Sequence, residues 1–142
     1  MQQNYSNHTR WHPPFHFVMS PILLVHLIYS AKLAYDVPGY HSLEALLLAI
    51  GLFVMGFLTR VNALKAQDRT IRLEEKLRYR EVLSPEMQKK AEGLSTAQVV
   101  ALRFASDAEL PALIEKTLAG QFAKSSDIKK AIQNWRPDFD RV

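Results

Sequence analysis

The chain has 142 residues and no cysteine, which excludes disulfides, thiolate metal sites, iron–sulfur ligation and cysteine nucleophiles. Its 18 Lys and Arg against 14 Asp and Glu leave a formal charge of +4, and 48% of the residues are hydrophobic, values that suit one modest domain or a membrane anchor carrying a small module. The distribution favours the second: nearly all continuous apolar sequence lies between Phe15 and Leu58, whereas the chain beyond Arg60 is charged and periodic.

Residues 1–14 form a polar N-terminal segment. His8, His12 and His16 recur every four residues, a spacing that would align three imidazoles on a helix, but Pro13-Pro14 interrupts that helix. No metal site is predicted there, because a tetrahedral site needs converging ligands, and the two prolines are read as first-turn residues of the segment that follows.

Residues 15–35, FHFVMSPILLVHLIYSAKLAY, would rise roughly 30 Å as a helix, the thickness of a bilayer's hydrocarbon core, and are read as a first transmembrane helix. The apolar stretch begins late and lacks a small-residue cleavage pattern, unlike a secretory signal. Pro21 lacks an N–H and should kink the helix, with Ser20 placed to satisfy the freed backbone. Lys32 lies close enough to the outer end for its ammonium to reach the headgroups.

His26 falls near mid-membrane, where an imidazole needs a hydrogen-bond partner or a ligand. Three roles stay open: a bond across a helix interface, an axial bond to haem b, or a proton relay or quinone contact. Ser30, one turn later, offers only a weak partner.

Residues 36–41, DVPGYH, hold a turn dipeptide, Pro38-Gly39, and form a short external loop. Residues 42–59, SLEALLLAIGLFVMGFLT, carry no charge after Glu44 and are apolar around the whole circumference, as expected of a second span. The pair forms a transmembrane hairpin. Arg10 precedes it and Arg60, Lys65, Arg69, Arg72, Lys76, Arg78 and Arg80 follow it, while the loop has neither Lys nor Arg, so both termini are predicted to be cytoplasmic. Trp11, Tyr35 and Tyr40 stand where interfacial aromatic anchors belong. Ser20, Ala31 and Ala34 share one helix face, and Ala45, Ala49 and Gly56 another, giving small-residue surfaces for close packing or self-association.

Residues 60–83 contain no glycine or proline and should continue the second span as a charged helix. Lys65, Arg69, Arg72, Lys76 and Arg80 form a basic stripe suited to anionic lipid or an acidic partner, with a solvated face the plainer reading. Asp68 with Arg72, and Glu74 with Arg78, are favourable pairs four apart. A seam through Val61 and Leu64 would take in Asp68, Glu75 and Arg78, which argues against a parallel coiled coil.

Residues 84–142 read as a small all-helical module. Ser84-Pro85-Glu86 opens a helix that Gly93 closes, Ser95 with Gln98 is a capping box, and Ser106 with Glu109 is a second one. A last helix is expected from about Ser126 to Trp135. The predicted core is Val99, Val100, Leu102, Phe104, Leu110, Leu113, Ile114, Leu118, Phe122, Ile128, Ile132 and Trp135. A helix-turn-helix would need phosphate contacts, and here the turn is acidic, so nucleic acid is not an expected partner. No phosphate loop, nucleophile elbow or zinc-protease helix is present, and Glu109 and Glu115 read as solvated charges.

The stretches RVNALKAQDRTIRLEEKLRYRE, ALRFASDAELPALIEK and IKKAIQNWRPDFDRV, with the opening NYSNHTRWHPPFHF, resemble an uncharacterised bacterial membrane-protein family, a domain of unknown function. The resemblance implies an N-terminal two-helix hairpin with a charged helical tail, and no activity. The sequence thus leads to a non-enzymatic anchor or accessory subunit of the bacterial inner membrane, without cofactor. Its partners would be membrane lipid, other membrane-protein subunits or a second copy. The alternatives are a haem- or quinone-associated electron-transfer subunit using His26, and an anionic-lipid surface sensor using the basic stripe.

Overall fold

The computed structural model describes residues 3–8 and 11–138; Arg10, used in the orientation argument, lies outside them. Among the described residues the structure is helical, with no strand beyond an isolated antiparallel bridge between Ala105 and Trp135. The chain divides into two units, one of residues 11–65 and the other of residues 3–8 with 66–138.

The first unit opens with a π-helical turn, Pro14–Met19, that runs into α1, Ser20–Asp36. Pro21 explains the wide turn. In an α register its ring would meet the carbonyl four residues back and leave that oxygen without a donor. The chain instead adds a residue to the turn. The Ser20 N–H reaches back five positions to the Phe15 carbonyl, and Ser20 Oγ donates to the same oxygen at 2.8 Å. Ser20 satisfies the backbone as its position suggested, by a π register rather than an open kink.

After Asp36 the chain turns through Val37-Pro38-Gly39, and buried Ser42 fastens the turn by donating from Oγ to the carbonyls of Val37 at 2.7 Å and Gly39 at 2.9 Å. The second long helix, α2, runs unbroken over Tyr40–Val82. Its first half lies antiparallel to α1. A Cβ placed on Gly56 would stand 2.7 Å from Leu23 Cδ1 and 3.5 Å from Met19 Cε, and the Arg60 guanidinium sits 5.6 Å from the centre of the Phe15 ring. Both the π-turn-plus-α1 segment, Pro14–Asp36, and α2 are long and apolar enough to cross a membrane.

The second unit is built on residues 66–82 of α2, followed by α3 (Pro85–Ala91), α4 (Thr96–Leu102), α5 (Leu110–Leu118) and α6 (Ser125–Ala131). Ser84 Oγ accepts from the Met87 N–H, and the Ser95–Gln98 capping box forms in both directions. Phe104, Leu102, Leu110, Ile114 and Ile128 are fully buried, with Tyr79 and Leu83 of α2 joining the same core. Val99, Leu113 and Ile132 are buried and Val100, Phe122 and Trp135 half-buried, but Leu118 is 40% exposed and is not a core residue.

Two local expectations are corrected. The box at Ser106 and Glu109 does not form: α5 has no side-chain cap, Ser106 Oγ is buried without a partner, and Glu109 turns away to accept from the backbone N–H groups of Gln133 at 3.1 Å and Asn134 at 2.7 Å. Glu109 is therefore a tertiary clasp, not a solvated charge. The last helix stops at Ala131, because the chain straightens so that the Arg136 N–H can reach the Phe104 carbonyl at 2.7 Å and the Asn134 carbonyl the Ser106 N–H at 3.1 Å.

Residues 3–8 dock on this same unit. Gln3 is buried and exchanges two hydrogen bonds with the Asp138 backbone, accepting at Oε1 (2.8 Å) and donating from Nε2 (3.3 Å). The His8 ring stacks on Tyr5 and lies 5.9 Å from Phe104 and 5.7 Å from Trp135, centre to centre.

Candidate functional site

The charged half of α2 presents two different faces. The face bearing Ile71, Glu75, Arg78 and Tyr79 is buried against the module. Glu75 and Arg78, two of the three residues that spoiled a coiled-coil seam, are among those that dock it.

Arg78 uses all five of its N–H groups. Nε and Nη2 both donate to Asp107 Oδ1, at 2.8 and 2.6 Å, Nη2 also to the Ala105 carbonyl at 2.7 Å, and Nη1 to Glu75 Oε2 at 3.1 Å and the Arg103 carbonyl at 3.4 Å. The first of these carbonyls belongs to Ala105, in the turn just past α4, and the second to Arg103, the C-cap residue of α4, so a rigid guanidinium fork on α2 fastens the chain where it leaves α4. Glu75 takes a second arginine, Arg136 Nη1, at 3.3 Å. Arg103 donates from Nε to Asp138 at 2.7 Å and lies 4.3 Å over the Phe104 ring. The pairing expected between Glu74 and Arg78 is replaced by Glu75 with Arg78, one position over. Glu75, placed in the sequence in the rejected coiled-coil seam, is buried.

The Glu75 carboxyl is pushed above its ordinary value of 4.5, chiefly by burial, against the opposing pull of Arg78, Arg136 and Arg103. The folded chain therefore takes up this proton at a higher pH than the unfolded chain does. Glu75's contribution to stability grows as pH falls through the window from its raised folded value down to 4.5, and is lost as pH rises through it. The stability of the natural chain relative to Glu75→Gln should accordingly improve on acidification, measured as urea midpoints across a pH series. A difference that shrinks as pH falls would show that the arginines outweigh burial.

The other face carries the basic stripe. Lys65, Arg69, Arg72, Lys76 and Arg80 are all exposed. Arg72, Lys76 and Arg80 line a cleft of about 440 Å³ whose floor includes Leu94 and Val99, while Lys65 and Arg69 do not.

In the first unit, His26 is half-buried beside a shallow apolar groove of about 460 Å³ whose other walls are Pro21, Ile22, Val25 and Tyr29. Ala49 and Gly56 are buried and Ala45, Ser20 and Ala34 half-buried, but Ala31 is exposed and its neighbour Ser30 is the buried small residue of α1. Ser30 and Ala34, four apart, share the packed face of α1, and Ala31 stands one position off it. His12 and His16 are tied to each other, His16 Nδ1 lying 3.1 Å from the His12 N–H and 3.0 Å from its carbonyl. No group of three metal-ligating side chains forms among the described residues.

Among the described residues these features define an all-helical protein, with two helices long and apolar enough for a membrane and a small module fastened by a buried arginine network. The chain belongs to a family of unknown function (DUF6526), which matches residues 1–142. Neither a curated protein nor a solved structure matches it.

Proposed function

We propose that the protein is a non-enzymatic anchor or accessory subunit of the bacterial inner membrane, whose hairpin holds a cytoplasmic helical module where it binds other membrane-protein subunits. The observation that carries this reading is the exposure of the apolar helices. Only 6% of the most apolar window of the first span and 17% of that of α2 are buried. Phe17, Ile22, Val25, Ile28, Leu47 and Phe57 are each at least 60% exposed. A core helix of a water-soluble protein buries such residues; a face this large needs lipid or protein around it. The docking of residues 3–8 on the module supports an even number of crossings, since both ends of the chain then share one side.

The absence of cysteine makes the topology measurable with single introduced thiols. Gly39→Cys has open space for its side chain, and Lys124→Cys is exposed in the module. In intact cells an impermeant maleimide should label the first alone, with the second labelled only after lysis. The chain should also stay in the membrane pellet through an alkaline carbonate wash. Release into the supernatant as a monodisperse species without detergent would refute the anchor.

A further inference from the structure

The cleft beside α2 gathers an excess of positive charge. Arg72, Lys76 and Arg80 succeed one another at four-residue steps, a spacing at which like charges repel on a helix. None of the three has an ion-pair partner among the described residues, whereas Arg78, Arg103 and Arg136 on the docked side are all paired. One carboxylate, Glu92, shares the cleft, so three cations less one anion leave +2. That matches the charge of a phosphate monoester at neutral pH, about −1.5 to −2.

An independent feature of the same wall asks for a ligand. Tyr79 is 6% exposed and lines the cleft, and its hydroxyl is buried with no hydrogen-bond partner. Buried hydroxyls are rarely left so, because nothing repays the water they give up. A helical side chain leans toward the preceding turn, which carries the Tyr79 ring toward Lys76 and Glu75. Burial and the Glu75 carboxylate keep the phenol protonated, so it is available as a donor. Gln88, opposite, spends its amide N–H on the Leu83 carbonyl at 2.9 Å and on that of Arg80.

We infer that this cleft binds a phosphate-bearing anion, with Arg72, Lys76 and Arg80 supplying the counter-charge and Tyr79 Oη donating to a phosphoryl oxygen. The phosphate belongs either to an anionic lipid headgroup or to a soluble phosphate ester. The cleft lies within the unit of residues 66–138, so the inference does not depend on the membrane anchor.

The test uses the full chain labelled with 3-fluorotyrosine, in nanodiscs of phosphatidylcholine with or without phosphatidic acid. The Tyr79 fluorine resonance is assigned by its loss in Tyr79→Phe. A saturable shift with added inorganic phosphate, absent with chloride at equal ionic strength, supports a soluble ester; a shift only with phosphatidic acid supports a headgroup. In either arm Arg72→Gln with Lys76→Gln should weaken binding about tenfold or more, whereas Lys65→Gln with Arg69→Gln, on the same stripe outside the cleft, should leave it unchanged. Tyr79→Phe, read by isothermal titration, should weaken binding while leaving the melting temperature of the free protein equal or higher, since it deletes a hydroxyl without a partner. No shift with either probe, or equal losses in the two double variants, overturns the inference. So does Tyr79→Phe binding as tightly as the natural chain.

Discussion

Arg78→Ala should cost the module about 3–5 kcal/mol, the range for breaking a buried pair by removing one partner. The loss is not the pull of Asp107, which is 68% exposed and screened by water. It is what the substitution leaves behind: a Glu75 carboxylate 5% exposed with Arg136 as its remaining ion pair, and the carbonyls of Arg103 and Ala105 without that donor. Arg78→Lys keeps the charge but offers at most three donors on a flexible stem, and should recover only part of the loss. Urea unfolding followed through Trp135, in a Trp11→Phe background so that a single indole reports, measures both. A loss below about 1 kcal/mol for Arg78→Ala would place this pair with ordinary surface ion pairs.

Removing both charges separates pairing from burial. Glu75→Gln with Arg78→Met should be less destabilising than Arg78→Ala alone, because no uncompensated charge remains inside. The cost of Arg78→Ala should also fall on acidification, since protonating Glu75 removes the stranded charge. Both effects follow from the burial that already pushes the Glu75 carboxyl upward.

These residues also mark where the sequence was legible and where it was not. The Ser84 cap, the Ser95–Gln98 box and the two apolar runs are local signals, complete within a few residues or one continuous stretch, and each appears where its spacing puts it. Glu75 and Arg78 carry an equally local signal, charges three and four apart on a helix, which reads as a solvated face. Their partners are Asp107 and Ala105, 29 and 27 positions beyond Arg78, and Arg136, 61 beyond Glu75, and no spacing rule within α2 contains them. Glu109 failed for the same reason. Its distance from Ser106 fits a capping box, but the N–H groups of Gln133 and Asn134 compete for the carboxylate and win. The basic stripe was legible as a row of charges; that only three of its members border a cleft, beside an orphaned tyrosine hydroxyl, required the packing of α3 and α4. Two polar seams in one helix thus have opposite fates: the side with partners became interior, and the side without them stayed open to an anion.

The hairpin offers the sharpest test of the first unit. Gly56 is buried where α1 crosses α2, and even a methyl there would stand 2.7 Å from Leu23 Cδ1. Gly56→Ala should be mild, because that atom is the far end of a flexible side chain and can rotate aside. Gly56→Ile puts two branches into the same gap and must push the helices apart, at an expected cost of about 1–3 kcal/mol. In the membrane setting proposed above, helices gain their association from close backbone approach rather than from excluding water, and there this contact would carry much of what holds the pair together. Leu23→Ala should restore most of the loss in Gly56→Ile by vacating the space, although alone it leaves a void and destabilises. Melting of the helical circular-dichroism signal of the detergent-solubilised chain reads all four proteins. Equal melting temperatures for Gly56→Ile and the natural chain would mean that the two helices do not rest on each other at this glycine, and a rescue absent from the double variant would place the clash elsewhere than Leu23.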